Sequence, residues 1–339
     1  MKKLNCHFYS VPPTMKKYLR GEMKGHKITI HDEQIKTNNL DPSTDILAVF
    51  VDSKVDKAVF DKLKNLQQIV TMSTGYDHID LDEAKKRNIP VCNVPTYGDN
   101  TVAQYALTFI LTMTRKFYKS IKRVKEGFYN YTDLEGLDLK DKTIGIVGTG
   151  HIGIHLVDML EGFESNVIAY DKFPNKKLES EHNFKYVTLD KLYKTSDIIS
   201  LHVPLFPDTH HMISAKEIKK MKKGVYIINT ARGALLDPKA LLKGLDSGKV
   251  AGAGIDVLEE EDFIAHPEKL KSKTTTKKQL ETAQINEMII DHDHTIITPH
   301  NAFNSAGALK RIIDTTVENI KSNVVGKVTN DLTQPRKKK

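Results

Sequence analysis

Residues 143–153 read TIGIVGTGHIG, and the fold is decided by how this stretch is read. TIGIV is an unbroken apolar run, suited to a strand buried on both faces of a parallel sheet. Gly148, Gly150 and Gly153 follow in GxGxxG spacing, and Ile152, Leu156, Leu160 and Phe163 then recur as a helical stripe. A glycine-rich turn on its own is commonly a loop or a helix cap. Between a buried strand and an amphipathic helix it is a diphosphate turn. Its first two glycines allow a tight bend and close backbone approach to a diphosphate on the helix N-terminus, and the third allows helix and strand to touch. Asp171 closes the next strand, NVIAYD, 18 residues after Gly153. A carboxylate there accepts the ribose hydroxyls of NAD and repels the 2′-phosphate of NADP. Lys172, Lys176 and Lys177 lie close enough in sequence to soften that repulsion, so dual use stays open.

Working outward, short β-branched runs alternate with helical patterns along most of the chain, which predicts an α/β protein of parallel βαβ units. A first series of strands is expected at 3–9, 27–30, 46–51, 68–72 and 91–94, none followed by a glycine-rich phosphate loop. A second, at 143–147, 166–170, 198–202, 224–229, 252–258 and 295–298, supplies six strands, enough for a doubly wound sheet. Between the two, 101–129 reads as one long helix capped by Asp99 or Asn100. The lysine-rich stretch 267–284 reads as a surface insertion, and 306–325 as a final helix that belongs to either half.

Three polar residues follow strands of the second series: Arg232 after GVYIINTA, Glu261 just beyond GAGIDVL, and His300 after TIITP. In a parallel sheet all strand C-termini share one edge, the edge that also carries the Gly148 turn, so these side chains converge on a bound dinucleotide. Arginine holds a carboxylate bidentately, histidine moves a proton near neutral pH, and glutamate orients that histidine. Singly, each has an ordinary explanation as an ion pair, a member of an acidic run or a strand-end residue; together they read as a site. His292 and His294 lack a third ligand at metal spacing and read as a solvated loop, and His210 and His211 as a turn.

With these residues in view, the chain resembles the D-isomer-specific 2-hydroxyacid dehydrogenases, most closely their D-lactate dehydrogenase members. The resemblance rests on STGYDHIDL (73–81), VPTYGDNTVAQYAL (94–107), LDLKDKTIGIVGTGHIG (137–153), LHVPLFPDTHHMI (201–213), NTARGALLD (229–237), GAGIDVLEEE (252–261) and ITPHNAF (297–303). It implies two Rossmann-like doubly wound domains with the active site in the cleft between them. Residues 1–100 plus 302–339 would form the substrate domain, and 101–301 the NAD-binding domain. It also implies that Arg232 binds the keto-acid carboxylate and polarises its carbonyl, that His300 is the acid/base and that Glu261 is its partner. Thr74 and Gly75 would offer backbone donors to the carboxylate, and Tyr97 and Phe303 would shape the pocket. His151, Ile152, Asp171, Val203, Pro204, Thr209, Thr230, Ala231 and Asp256 would contact NAD, beside Gly148, Gly150 and Gly153 of the turn. The expected activity is reduction of pyruvate or a similar small 2-keto acid, without a metal, in a homodimer. The rival readings are a dehydrogenase for a larger D-2-hydroxy acid and a non-enzymatic NAD(H)-sensing protein of the same fold.

Composition narrows the setting. The 339 residues are 39% hydrophobic and 28% charged, ordinary for a globular protein of two domains. The net charge of +8 comes almost wholly from lysine, with only seven arginines, a distribution that argues against nucleic-acid binding. The longest apolar stretch, 102–113, is too short for a bilayer and no signal-peptide pattern follows the N-terminal lysines, so no membrane partner and a cytoplasmic location are expected. Cys6 and Cys92 are too few for a disulfide framework. The final PRKKK reads as a solvated tail.

Overall fold

The computed structural model describes residues 3–334, so the basic tail at 335–339 lies outside the described residues. The chain divides into two compact units, one comprising residues 1–97 with 304–339 and the other residues 98–303.

The first unit is built on five strands, β1 (Asn5–Tyr9), β2 (Lys27–His31), β3 (Ile46–Val49), β4 (Gln68–Thr71) and β5 (Val91–Cys92). They are all parallel, in the order β2-β1-β3-β4-β5. Helices α1 (Pro13–Glu22), α2 (Lys57–Lys62) and α3 (Leu81–Lys86) make three of the four crossovers, and β2 joins β3 through a loop. Asp56 and Asp80 cap α2 and α3 with their carboxylates. Leu47, Val49, Ile69 and Val91 pack with Val59, Phe60 and Leu63 in one of its cores.

The second unit opens with α4 (Asp99–Thr114) and α5 (Phe117–Lys125). The single helix expected over 101–129 is therefore two. The Thr114 carbonyl accepts from Leu137 N, outside the helix, and Lys116 turns left-handed at φ 49°, so the helical ladder cannot continue. Nor does Asp99 or Asn100 cap α4: its N-cap is Gly98, which makes no side-chain bond, and Asp99 sits in the first turn.

Then follow β6 (Thr143–Val147), α6 (His151–Leu160), β7 (Asn166–Tyr170), α7 (Lys176–Glu181), β8 (Lys185–Tyr186), α8 (Leu189–Thr195) and β9 (Ile198–Leu201). After them come α9 (Ala215–Lys220), β10 (Val225–Asn229), α10 (Pro238–Asp246), β11 (Val250–Ile255), α11 (Asp262–Ala265), α12 (Lys277–Ile290) and β12 (Thr295–Ile297). The seven strands are all parallel in the order β12-β11-β10-β9-β6-β7-β8. The short β8, at the edge, adds a seventh to the expected six.

Both faces of this sheet are covered. Ile144, Ile146, Ile198 and Ile228 pack with α4 and α6. Val147, Ile199, Leu201 and Ile227 pack with α8, α9 and α10. Half of the expected surface insertion is α12, opened by a Thr276–Gln279 capping box and seated through Thr282, Ala283, Asn286 and Ile289. The last helix, α13 (Ala306–Val324), belongs to the first unit. There Gln68 Nε2 donates to Asn319 O at 3.0 Å, and Asn319 Nδ2 donates to Asn93 O at 2.9 Å.

Candidate active site

Strand order reverses at β6, which has β9 on one side and β7 on the other, and parallel doubly wound sheets bind ligands at this crevice. Gly148 leaves β6 at φ 100°. A Cβ on Gly153 would lie 2.1 Å from the Gly148 carbonyl oxygen, so only glycine lets α6 start so close to the strand. Around Gly150 there is open space, since a Cβ there would meet nothing within 4 Å. The first intrahelical bond runs from Ile154 N to Gly150 O, so the N–H groups of His151, Ile152 and Gly153 precede it and face the crevice end of the helix. The buried Thr230 hydroxyl, which leaves the end of β10, has no hydrogen-bond partner among the described residues. A glycine cradle, a helix N-terminus and an orphaned hydroxyl fit a dinucleotide.

Asp171 takes part in the turn itself. Its Oδ2 accepts from Thr149 N at 2.8 Å and from Thr149 Oγ1 at 3.1 Å, and its Oδ1 accepts from Phe173 N at 2.8 Å. A carboxylate has about four acceptor positions, so one remains for a ribose hydroxyl. Lys172 is paired with Asp208 and Lys177 with Glu181, which ties down two of the three lysines that could have attracted a 2′-phosphate. Val203 and Pro204 leave β9 into a loop closed by Thr209, whose Oγ1 donates to Pro204 O at 2.8 Å and accepts from Phe206 N at 2.7 Å. Ala231 N donates to Asn229 Oδ1 at 3.0 Å.

An imidazole–carboxylate pair is assembled beyond the ends of β11 and β12. His300 Nδ1 lies 2.8 Å from Glu261 Oε1, and the other oxygen of Glu261 accepts from Leu258 N at 3.2 Å. With Nδ1 given to the carboxylate, Nε2 is the ring nitrogen left for chemistry. His300 sits at φ 50°, a left-handed position held by Asp256. The Asp256 carbonyl accepts from His300 N, and its buried carboxylate accepts from the Thr298 hydroxyl, Asn301 N and Ala302 N. Burial alone lowers the His300 pKa. The hydrogen bond and charge of Glu261, with the charge of Asp256, outweigh both burial and the opposing Arg232, and the net shift is upward.

Arg232 is half-buried at the end of β10, with its main-chain oxygen held by Asn229 Nδ2 at 2.9 Å. The Phe303 ring lies edge-on to His300 at 6.5 Å. Arg232, Glu261, His300, Asp256 and Phe303 thus gather on the edge that bears the glycine turn. Thr74, Gly75 and Tyr97 belong to the first unit. There Thr74 Oγ1 donates to Val94 O at 2.8 Å, Ser73 Oγ to Gly75 O at 2.7 Å, and Arg311 Nε to Tyr97 O at 2.7 Å. Two positioning residues escaped sequence reasoning, Asn229 and Thr298. Their only signal was a polar residue at the end of a buried strand.

A parallel sheet reversing at a glycine turn, with an imidazole–carboxylate pair on the same edge, defines a dinucleotide-dependent oxidoreductase. Residues 107–302 match the family described as D-isomer specific 2-hydroxyacid dehydrogenase, NAD binding domain. Among curated relatives, a 2-hydroxyacid dehydrogenase homolog of Zymomonas mobilis is 36% identical over 91% of this chain and 92% of its own. An aromatic 2-oxoacid reductase of Clostridium sporogenes is 34% identical over 88% of this chain and 89% of its own. Among solved structures, the D-lactate dehydrogenase of Aquifex aeolicus, complexed with NAD and lactic acid, superposes with a TM-score of 0.87 at 34% identity, covering 98% of this chain and all of that one. The chain belongs to the D-isomer specific 2-hydroxyacid dehydrogenase family, and its second unit carries that family's NAD-binding domain.

Proposed function

We propose that the protein is an NAD-dependent D-lactate dehydrogenase that reduces pyruvate, or a 2-keto acid of similar size, to the D-2-hydroxy acid. The observation that carries this reading is the His300–Glu261 pair at 2.8 Å on the sheet edge that also bears Arg232 and the glycine turn. When bound, NADH supplies the hydride. Arg232 holds the keto-acid carboxylate through its planar fork and offsets the negative charge that develops on the carbonyl oxygen. His300, as the imidazolium, gives its Nε2 proton to that oxygen, while Glu261 fixes the ring through Nδ1 and balances its charge. In the oxidative direction the neutral imidazole takes the hydroxyl proton back.

The likeness to a structure containing lactic acid favours a small substrate. The likeness to an aromatic 2-oxoacid reductase favours a larger one and is the second reading. NADH oxidation followed by absorbance with pyruvate, 4-methyl-2-oxopentanoate and phenylpyruvate separates them. Pyruvate should give the highest kcat/KM, and a clear preference for phenylpyruvate would shift the assignment to aromatic acids. No NADH oxidation with any of the three would leave an NAD(H)-binding protein without this activity.

A homodimer is part of the same proposal. Helix α5 exposes Phe117, Tyr118, Ile121 and Val124, and Phe128, Tyr129 and Tyr131 continue the apolar surface. A patch of that kind marks a protein interface. No helix among the described residues is long and apolar enough to cross a membrane, and both cysteines are buried and free, which supports a reducing, cytoplasmic setting.

A further inference from the structure

Away from the His300 pair, two adjacent histidines and a carboxylate converge on one point, and the reaction does not use them. His210 and His211 lie in the loop that follows β9. Successive side chains in extended backbone point to opposite sides. Here His211 adopts φ 48°, and both rings face the same way, with centroids 4.0 Å apart. A left-handed, non-glycine residue carries a conformational cost, so the placement is imposed by its surroundings. His211 N donates to Ala234 O at 2.7 Å, Ile213 N donates to Leu235 O at 3.1 Å, and Tyr193 Oη donates to Met212 O at 3.1 Å.

The carboxylate is Glu259, in the segment after β11. Its Oε2 lies 2.7 Å from His211 Nε2 and its Oε1 3.8 Å from His210 Nε2. One ligand atom from each residue can be chosen so that all lie within 4.8 Å of one another. The main-chain oxygen of Glu259 accepts from the buried Asn286 Nδ2 at 2.7 Å, which anchors the residue to α12. The Glu259 side chain is 11% exposed, and among the described residues the carboxylate lies against these two imidazoles and pairs with no lysine or arginine. The His210 side chain, by contrast, is 43% exposed, so an ion in solution can reach the cluster.

We propose that His210, His211 and Glu259 form a site for a divalent ion of the zinc class, which cross-links the loop after β9 to the segment after β11. Two imidazole nitrogens and one carboxylate oxygen form a donor set that suits Zn²⁺ and its neighbours Co²⁺ and Ni²⁺, and does not suit the all-oxygen preferences of Mg²⁺ and Ca²⁺. Zinc–ligand bonds of about 2.0–2.2 Å place tetrahedral donors roughly 3.4 Å apart, within the spread seen here, and rotation of the exposed His210 side chain closes the remainder. On binding, each imidazole gives the ion a ring nitrogen that carries no hydrogen, and any proton held there moves to the other ring nitrogen or to solvent. Three protein ligands leave the fourth position to water. The site is independent of which keto acid the enzyme reduces.

The test uses the untagged full-length chain, stripped with a chelator and then titrated with Zn²⁺ by calorimetry and with Co²⁺ by visible absorption. The expected result is one equivalent of Zn²⁺ bound at micromolar concentration, a four-coordinate Co²⁺ band, and a zinc-dependent rise in Tm. His210→Asn, at an exposed position that leaves folding undisturbed, and Glu259→Gln should each weaken Zn²⁺ binding by at least about tenfold and abolish the rise in Tm. The double variant His292→Asn/His294→Asn, which removes another pair of neighbouring histidines, should bind as the wild type does. The proposal is overturned if no stoichiometric Zn²⁺ binding occurs, or if binding survives His210→Asn and Glu259→Gln and is lost in the His292/His294 variant.

Discussion

The acidic run at 259–261 shows how three identical residue types take three different tasks. Glu261 turns to His300, Glu259 to His210 and His211, and Glu260, left-handed at φ 58°, accepts from Gln279 Nε2 at 3.2 Å. Sequence spacing does not separate them, because the chain bends sharply after β11 and periodicity is lost. Arg232 and His300 were easier to single out, since each follows a strand of known direction. The raised pKa of His300 has a kinetic consequence. Reduction requires the imidazolium, so its rate should be high at low pH and fall as pH rises through the His300 value, and oxidation of the hydroxy acid should show the opposite limb. Glu261→Gln removes the charge that holds the proton, so the falling limb should move to lower pH with NADH affinity little changed. An unmoved limb would detach Glu261 from this role. His300→Gln should depress both directions at every pH. At Asp171, a carboxylate and a phosphate ~4 Å apart repel by roughly 1–4 kcal/mol, so NADH should be preferred over NADPH by about 5- to 1,000-fold. Asp171→Asn keeps an acceptor for Thr149 and should erode that preference, as the ratio of kcat/KM values for the two cofactors would show.

At the scale of elements, the buried strands and the helix after the glycine turn were legible because apolar periodicity fixes them. The break between α4 and α5 was not, because a lysine carries no sign of a left-handed turn. Nor was β8, since two residues are too few to set a period. Turns that bring two segments into contact are also hidden in sequence. A Cβ on Gly233 would fall 2.0 Å from the Leu258 carbonyl carbon and 2.2 Å from Glu259 N, both backbone atoms that cannot yield. Gly233→Ala should therefore push the Arg232 turn off the segment that carries Glu261. The expected result is a loss of about tenfold or more in kcat/KM for the keto acid, from a misplacement of the order of 1 Å, with a smaller change in NADH binding by fluorescence titration. Strand β9 runs directly into His202, whose Nε2 lies 2.9 Å from Ser200 Oγ, and burial pushes its pKa down to about 4. The unfolded chain then binds a proton more readily than the folded one between its ordinary value of 6.5 and 4, so stability is full above that window and is lost as pH falls through it. With partial exposure the loss should be roughly 1–3 kcal/mol, and urea titrations at several pH values should show a shallower acid decline in His202→Gln.

Across the whole molecule, the two sheets were readable from alternation of strand and helix, but the allegiance of the last helix was not, because an amphipathic face does not name its partner. In the structure α13 accepts one hydrogen bond from Gln68 and gives one to Asn93. The first unit is consequently discontinuous in sequence and the second continuous. That difference sets an order of events on the ribosome. The N-terminal sheet emerges first yet must wait, with the apolar side that α13 will cover still wet, while residues 98–303 are made, an interval of roughly 10–40 s at cellular elongation rates. The later-made unit has all its parts in hand sooner and should become protease-resistant while the earlier one is still labile. A chain stalled before Asn304 and briefly exposed to protease should yield a resistant fragment spanning about 98–303 and lose its N-terminal hundred residues; equal resistance of both would show that the first sheet closes without its final helix. During that interval a nascent-chain holdase has its clearest target in the waiting N-terminal segment.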